Sequence, residues 1–125
     1  MLPSFLLPDT LARGNGQGPG ISIDSPPAGS LYITLEITRI LEQESLRVSV
    51  LGSADGRAWQ RLAAFPPKSY CGSYSLLLDL SRHRNLRMLR VDWSMTRWTV
   101  AERAPVFGFY VLAEEANARA AAGAA

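Results

Sequence analysis

The chain has 125 residues, of which 47% are hydrophobic and 19% are charged, and its formal net charge is +2. This size and composition are typical of one soluble globular domain, and they exclude a disordered chain, a collagen and a coiled coil. The net charge is too small to indicate a polyanionic partner by itself.

Residues 1–30 are predicted to form an N-terminal arm that precedes the core. We expect a short apolar edge strand at 5–7. A flexible stretch is expected at 14–20, where four glycines in seven residues disfavour a regular element. A further short strand is predicted at 21–23, and a turn at 25–29, where two prolines and a glycine occur.

Residues 31–112 are predicted to form the core. Apolar and polar residues alternate there in six segments, which indicates half-buried strands. These segments are residues 31–38, 46–50, 59–65, 74–80, 86–95 and 106–112. Because no amphipathic helix accompanies them, we predict an all-β fold, a single-domain antiparallel β-sandwich of the jelly-roll or discoidin-like kind. The Ala-rich residues 113–125 are predicted to be a C-terminal tail, either a frayed helix or a disordered end.

The most specific local motif is a predicted hairpin turn between the second and third of these strands. Gly56 follows Asp55 and can supply the positive φ that a short hairpin requires. The Ser53 hydroxyl and the Asp55 carboxylate can both accept hydrogen bonds from nearby backbone amides. Trp59 begins the returning strand, and we expect its ring to cover the hairpin and the edge of the core. These four residues are therefore assigned a structural role.

This hairpin resembles the Ser-x-Asp-Gly-x-x-Trp hairpin of discoidin-like (coagulation factor 5/8 type C) domains. The segment Arg87-Met88-Leu89-Arg90-Val91 is similar to the Arg-Tyr-Leu/Ile-Arg-Ile strand of that family. The segment at 107–111, Phe-Gly-Phe-Tyr-Val, is similar to its closing strand. The resemblance covers about residues 46–112. It implies a galactose-binding-like β-sandwich, and the matched residues are scaffold positions.

The residues that carry most enzyme chemistry are scarce. His83 is the single histidine and Cys71 the single cysteine of the chain. A catalytic triad or a metal site requires several such groups to converge, and their spacing here predicts no such cluster. We therefore predict no catalytic site, no metal site and no cofactor. His83 is expected to be a solvated turn residue, and Cys71 a small buried hydrophobic residue.

A candidate interface or ligand surface is predicted from aromatic and basic residues that the core pattern does not use. These residues are Tyr70, Tyr74, Arg82, Arg84, Arg90, Trp98 and Tyr110. Tyrosine, tryptophan and arginine are enriched in protein–protein interfaces, and exposed aromatic side chains also hold sugars. Basic residues interleaved with aromatic ones can bind single-stranded nucleic acid. Strand alternation places the arginines on different faces, so nucleic acid is an unlikely partner.

These observations favour a non-enzymatic, self-assembling structural subunit, such as a virion, tail or filament component. The expected partners are copies of the chain itself. The alternative is a carbohydrate-binding module of the galactose-binding-like kind. The first residues do not have the pattern of a signal peptide, and no stretch is apolar enough to span a membrane. We therefore expect a cytoplasmic protein or one packaged in an assembled particle.

Overall fold

The computed structural model describes residues 4–12, 14–23, 30–41, 44–68, 70–80, 85–97 and 106–115. Within these ranges the regular elements are all strands. Their bounds are β1 (Ser4–Ala12), β2 (Gly16–Gln17), β3 (Ile21–Ser22), β4 (Ser30–Leu41), β5 (Glu44–Ser53), β6 (Gln60–Ala64), β7 (Gly72–Asp79), β8 (Met88–Arg97) and β9 (Val106–Glu115). All six strands predicted for the core are present.

The strands form two antiparallel sheets. Sheet 1 has the order β1-β9-β4-β7, and sheet 2 has the order β2-β8-β5-β6. The short strand β3 also pairs with β8. Gly16 of β2 lies opposite Trp93 of β8, and Ile21 of β3 lies opposite Leu89 of the same strand. Strands β2 and β3 therefore act as one interrupted strand at the edge of sheet 2. The predicted antiparallel β-sandwich is confirmed.

The order of the strands follows one rule, in which early strands pair with late ones. Strand β1 pairs with β9, β2 and β3 pair with β8, β4 pairs with β7, and β5 pairs with β6. This nesting describes a long antiparallel ribbon that is rolled up into two sheets. It is the arrangement of a jelly roll.

The core lies between the two sheets and is built from alternate residues of each strand. On β4 the inward side chains are Leu31, Ile33, Leu35 and Ile37, each at most 1% exposed. The aromatic contact at the centre joins Trp93 of sheet 2 to Phe109 of sheet 1, with ring centroids 5.5 Å apart at 80°. Burial of each such side chain contributes about 1.5–3 kcal/mol.

The N-terminal residues differ from the expectation in one respect. The edge strand predicted at 5–7 is present and longer, and Leu6 and Leu7 are buried against the core. The stretch at 14–20 was expected to be flexible, but it lies along β8. Trp93 Nε1 donates to the Gly14 carbonyl oxygen at 2.9 Å, and Asn15 Oδ1 accepts from the Met95 amide at 2.8 Å. These contacts connect residues 14 and 15 to β8, and the stretch contains the short strand β2 despite its four glycines.

The C-terminal residues also contribute to sheet 1. Strand β9 continues to Glu115, and Ala113 is fully buried opposite Ile33 of β4. The small side chain of Ala113 is thus part of the core. Residues 116–125, which complete the predicted tail, and the predicted turn at 25–29 lie outside the described residues.

Candidate interaction surfaces

The hairpin between β5 and β6 is closed by two short side chains. Ser53 is 2% exposed, and its Oγ accepts from the amides of Asp55 at 3.2 Å and Gly56 at 2.8 Å. The same hydroxyl donates to Asp55 Oδ1 at 3.1 Å. Gly56 has φ of 80°, a left-handed conformation that favours glycine. The turn therefore uses both side chains as acceptors, as expected from the motif.

The Asp55 carboxylate completes this turn on its far side. Its Oδ1 accepts from the amides of Arg57 at 2.8 Å and Ala58 at 3.0 Å. These backbone donors, together with the Ser53 hydroxyl, hold the pKa of the Asp55 carboxyl below its ordinary value of 3.8. A carboxylate engaged in this way stabilises the loop through hydrogen bonds from the protein's own backbone amides.

Trp59 lies on the outer face of sheet 2, and not over the edge of the core as expected. The guanidinium carbon of Arg90 lies 4.3 Å from the centroid of the Trp59 ring. Arg90 is opposite Leu51 in the sheet, on the face that points away from the core. Trp59 is half-buried by this contact and by its neighbours Met88 and Gly20. The physical reason is the period of β8, which points Met88 and Arg90 outward beneath the returning chain.

Tyr70 and Tyr74 lie together at the start of β7. The Tyr74 hydroxyl donates to the Tyr70 carbonyl oxygen at 2.8 Å, and Lys68 Nζ lies 4.4 Å from the centroid of the Tyr74 ring. Tyr74 is opposite Leu35, so it faces inward and is half-buried. Tyr70 is 76% exposed. Of this pair, Tyr70 is the more exposed to solvent.

Cys71, which was expected to be buried, is exposed. The pairing of β7 with β4 ends at Gly72, opposite Ile37, so Cys71 lies just beyond the covered part of the sheet. The prediction of a buried thiol is therefore wrong, because the apolar neighbourhood suggested by the sequence does not extend past the start of the strand.

The predicted surface residues do not converge on one site. Tyr110 lies on the outer face of sheet 1, where its ring meets Phe5 edge to face at 5.5 Å and 83°. Arg90 is on the outer face of sheet 2, and Tyr70 is at the start of β7. Arg82, Arg84 and Trp98 lie outside the described residues, as does His83.

One surface was not recognised from the sequence. We call it the sheet 1 face, and define it as the outward side chains of β1, β9, β4 and β7. Three of the exposed large apolar side chains belong to it, namely Phe5 (50% exposed), Leu11 (57%) and Leu77 (58%). The signal was available in the run Leu76-Leu77-Leu78, because a period of two requires the middle leucine to point outward when its neighbours point inward.

The two outer faces also differ in charge among the described side chains. The sheet 1 face carries Glu36, Asp79 and Glu114 against Arg39. The outer face of sheet 2 carries Arg47, Arg61 and Arg90 against Asp92. One face is therefore acidic and the other basic, which makes the faces of two copies electrostatically complementary.

The described residues contain no group of three or more His, Cys, Asp or Glu side chains placed to hold a metal ion. Within the same residues, no helix is long and apolar enough to cross a membrane.

Comparison with known proteins connects the chain to virus structures through its fold. No family model matches the chain, and no curated protein matches it. The chain is similar to one in the structure of infectious bursal disease virus Gx strain, with a TM-score of 0.58 and 9% identity over 88% of this chain and 31% of that one. It is also similar to a chain of the Gt strain, with a TM-score of 0.53 and 11% identity over 91% of this chain and 33% of that one.

At these identities the likeness shows a shared β-sandwich fold. The chain spans about one third of the length of the virus chains that it matches. The resemblance to discoidin-like domains is compatible with the sandwich, and membership of that family is not confirmed.

Proposed function

We propose that the chain is a non-enzymatic structural subunit that assembles with copies of itself into a particle, as a virion component does. The observation that carries the proposal is the exposure of Phe5, Leu11 and Leu77 on the sheet 1 face. Exposed apolar side chains that share one surface commonly mark a contact with another protein.

The composition of the sheet 1 face supports this proposal. Phe5 is opposite Leu112, and its ring packs against Tyr110. On the same face, Tyr32 of β4 lies opposite Glu114 of β9 on one side and opposite Leu77 of β7 on the other. Aromatic and large apolar residues of this kind are enriched in protein interfaces and can be desolvated at little cost.

The fold gives independent support. Jelly rolls occur in virus coats and in lectins, and both similar chains come from structures of a virus. A sandwich of this kind offers outer faces that can pack on another copy and strand edges that can pair with another chain.

The contacts of the predicted site residues favour a structural role over a catalytic one. Asp55 is engaged by the backbone of its own turn, the Tyr74 hydroxyl by Tyr70, and the Arg90 guanidinium by the Trp59 ring. Each of these groups stabilises the fold locally.

The second candidate function is carbohydrate binding, and the exposed ring of Tyr70 is the observation that favours it. A planar aromatic side chain can stack on a sugar ring. A glycan array probed with the full chain and with Tyr70→Ala tests this directly. Saturable binding that is lost in Tyr70→Ala would support a carbohydrate-binding function. The absence of binding would exclude that function.

Size-exclusion chromatography with light scattering tests the proposed self-association. We expect the mean mass to rise above the 13.7 kDa of one chain as the concentration is raised to the high micromolar range. A salt series adds information, since contacts between the acidic and basic faces weaken with ionic strength and apolar contacts do not. A single species of one-chain mass at every concentration would contradict the proposal.

A further inference from the structure

The edges of the two sheets differ in how well they are protected against pairing with another strand. A free strand edge presents unpaired backbone N–H and C=O groups, and proteins commonly block it with proline, bulges or short strands. Among the described residues, the edges are β1 and β7 in sheet 1, and β6 and the pair β2 and β3 in sheet 2.

Three of the edges are blocked. Strand β1 contains Pro8, which lacks an amide hydrogen, and its register shifts twice between Phe5 and Thr10. Strand β6 has five residues and faces a register shift between Val50 and Leu51. Strands β2 and β3 have two residues each and are separated by Gly18, Pro19 and Gly20.

The fourth edge, β7, has none of these devices. Its eight residues pair with β4 in continuous register from Gly72 to Asp79. It contains no proline and no lysine, and Asp79 at its end is its single charged residue. Leu77 points away from the core and is 58% exposed. This edge is therefore regular, carries one charged residue and is open to strand addition within the described part of the molecule.

We propose that β7 of a second copy adds to this edge in the antiparallel direction, about a two-fold axis that passes beside Leu77. This inference rests on the proposed self-association and identifies its first contact. The two four-stranded sheets would then join into one continuous sheet across the pair. Such a contact is isologous, because the same strand supplies both sides of it.

The outward side chains favour this occupant and this register. With Leu77 opposite Leu77 of the other copy, the two exposed leucines bury each other and Asp79 lies opposite Ser75. The Ser75 hydroxyl can donate to that carboxylate. A shift that places Asp79 opposite Ser73 is less favourable, since Ser73 already donates its hydroxyl to Glu36. A longer shift that places the two Asp79 carboxylates opposite each other would create like-charge repulsion.

The inward side chains agree with the same register. Leu76 would lie opposite Leu78 of the other copy, and Tyr74 opposite Leu80. Leu76 is only half-buried in the single chain, whereas Leu78 and Leu80 are 4% and 2% exposed. Pairing at β7 would cover the exposed part of Leu76 and so extend the core across the axis.

Disulfide trapping tests the contact and its register. In a Cys71→Ser background, Leu77→Cys places a thiol next to its symmetry mate, close enough for a bond under mild oxidation. We expect a covalent dimer to form rapidly at micromolar concentration. The matched control is Ala54→Cys in the same background, because Ala54 is exposed in the hairpin turn between β5 and β6 and does not belong to the sheet 1 face. The control should form dimer at least about tenfold more slowly.

A charge variant gives a second readout that needs no oxidation. Leu77→Lys should weaken dimerisation at least about tenfold, because the two lysines would meet at the axis, while Ala54→Lys should change it less than about twofold. Circular dichroism checks that each variant is folded.

The outcomes separate this inference from the proposed function. If the wild-type chain self-associates but Leu77→Cys forms dimer no faster than Ala54→Cys, or Leu77→Lys associates as tightly as the wild type, the β7 contact is wrong and the proposed function stands. If the wild-type chain is monomeric at every concentration, both fall.

Discussion

The indole Nε1 of Trp93 donates a hydrogen bond of 2.9 Å to the carbonyl oxygen of Gly14, a residue 79 positions earlier in the chain. The other side of the same ring system packs edge to face on Phe109. Through these two contacts, Trp93 of sheet 2 connects the Gly-rich stretch to sheet 1.

The glycine opposite Trp93 should tolerate no side chain. A Cβ at Gly16 would lie 2.6 Å from Trp93 Cζ2, closer than carbon atoms approach in proteins. We expect Gly16→Val to lower the free energy of unfolding by about 1–3 kcal/mol, as overpacking does elsewhere. Urea denaturation measures this. Gly14→Ala is the matched control, since no atom lies within 4 Å of its added Cβ. Equal effects of the two variants would mean that the stretch does not pack on Trp93.

Phe109, which lies in the core between the sheets, and Trp59, which lies on the outer face of sheet 2, should differ in their cost of truncation. Phe109→Ala removes a fully buried ring and should cost about 3–5 kcal/mol. Trp59→Ala removes a half-buried ring on the outer face together with its contact to Arg90, and should cost about 1–2 kcal/mol. Thermal and urea unfolding give both values. A cost for Trp59 as large as that for Phe109 would show that Trp59 is buried in the core.

Substitution of Gly56 should destabilise the hairpin turn. Its φ of 80° is strained for any residue with a Cβ, and an added Cβ would lie 3.1 Å from Met88 Sδ. We expect Gly56→Ala to destabilise the fold by about 1–2 kcal/mol. Gly14→Ala again serves as the control. A neutral effect would indicate that the turn adopts another conformation in solution.

The turn should also respond to acid through Asp55. Because the folded state lowers the pKa of this carboxyl below 3.8, ionised Asp55 stabilises the fold above the ordinary carboxyl pKa. That contribution is lost as the pH falls through the lowered value. We therefore expect the wild type to melt at a higher temperature than Asp55→Asn near neutral pH, with the gap closing below pH 3.8. A gap that widens in acid would contradict the turn geometry.

The strands could be predicted because apolar and polar side chains alternate along them. On β4, the residues Leu31, Ile33, Leu35 and Ile37 stand apart from their polar neighbours, and all four are buried in the structure. The order of strands could not be predicted in the same way. Strand β1 pairs with β9, which lies about a hundred residues later, and that choice depends on how two faces pack and not on a local pattern.

The surfaces were less predictable than the strands, for physical reasons that differ between residues. The glycines at 14–20 suggested flexibility, whereas Gly16 is required by the Trp93 ring beside it. Tyr74 was not assigned to the core, and its inward position follows from its register with Leu35. Leu77 follows directly from the alternation of β7, but its importance becomes visible only when the other edges are seen to be blocked.

Sedimentation equilibrium of the full wild-type chain over a dilution series is the most direct test of self-association. We expect the mean mass to rise from the 13.7 kDa of one chain towards that of a dimer and larger assemblies as concentration increases, and to fall again on dilution. A mass of one chain throughout the series would contradict it.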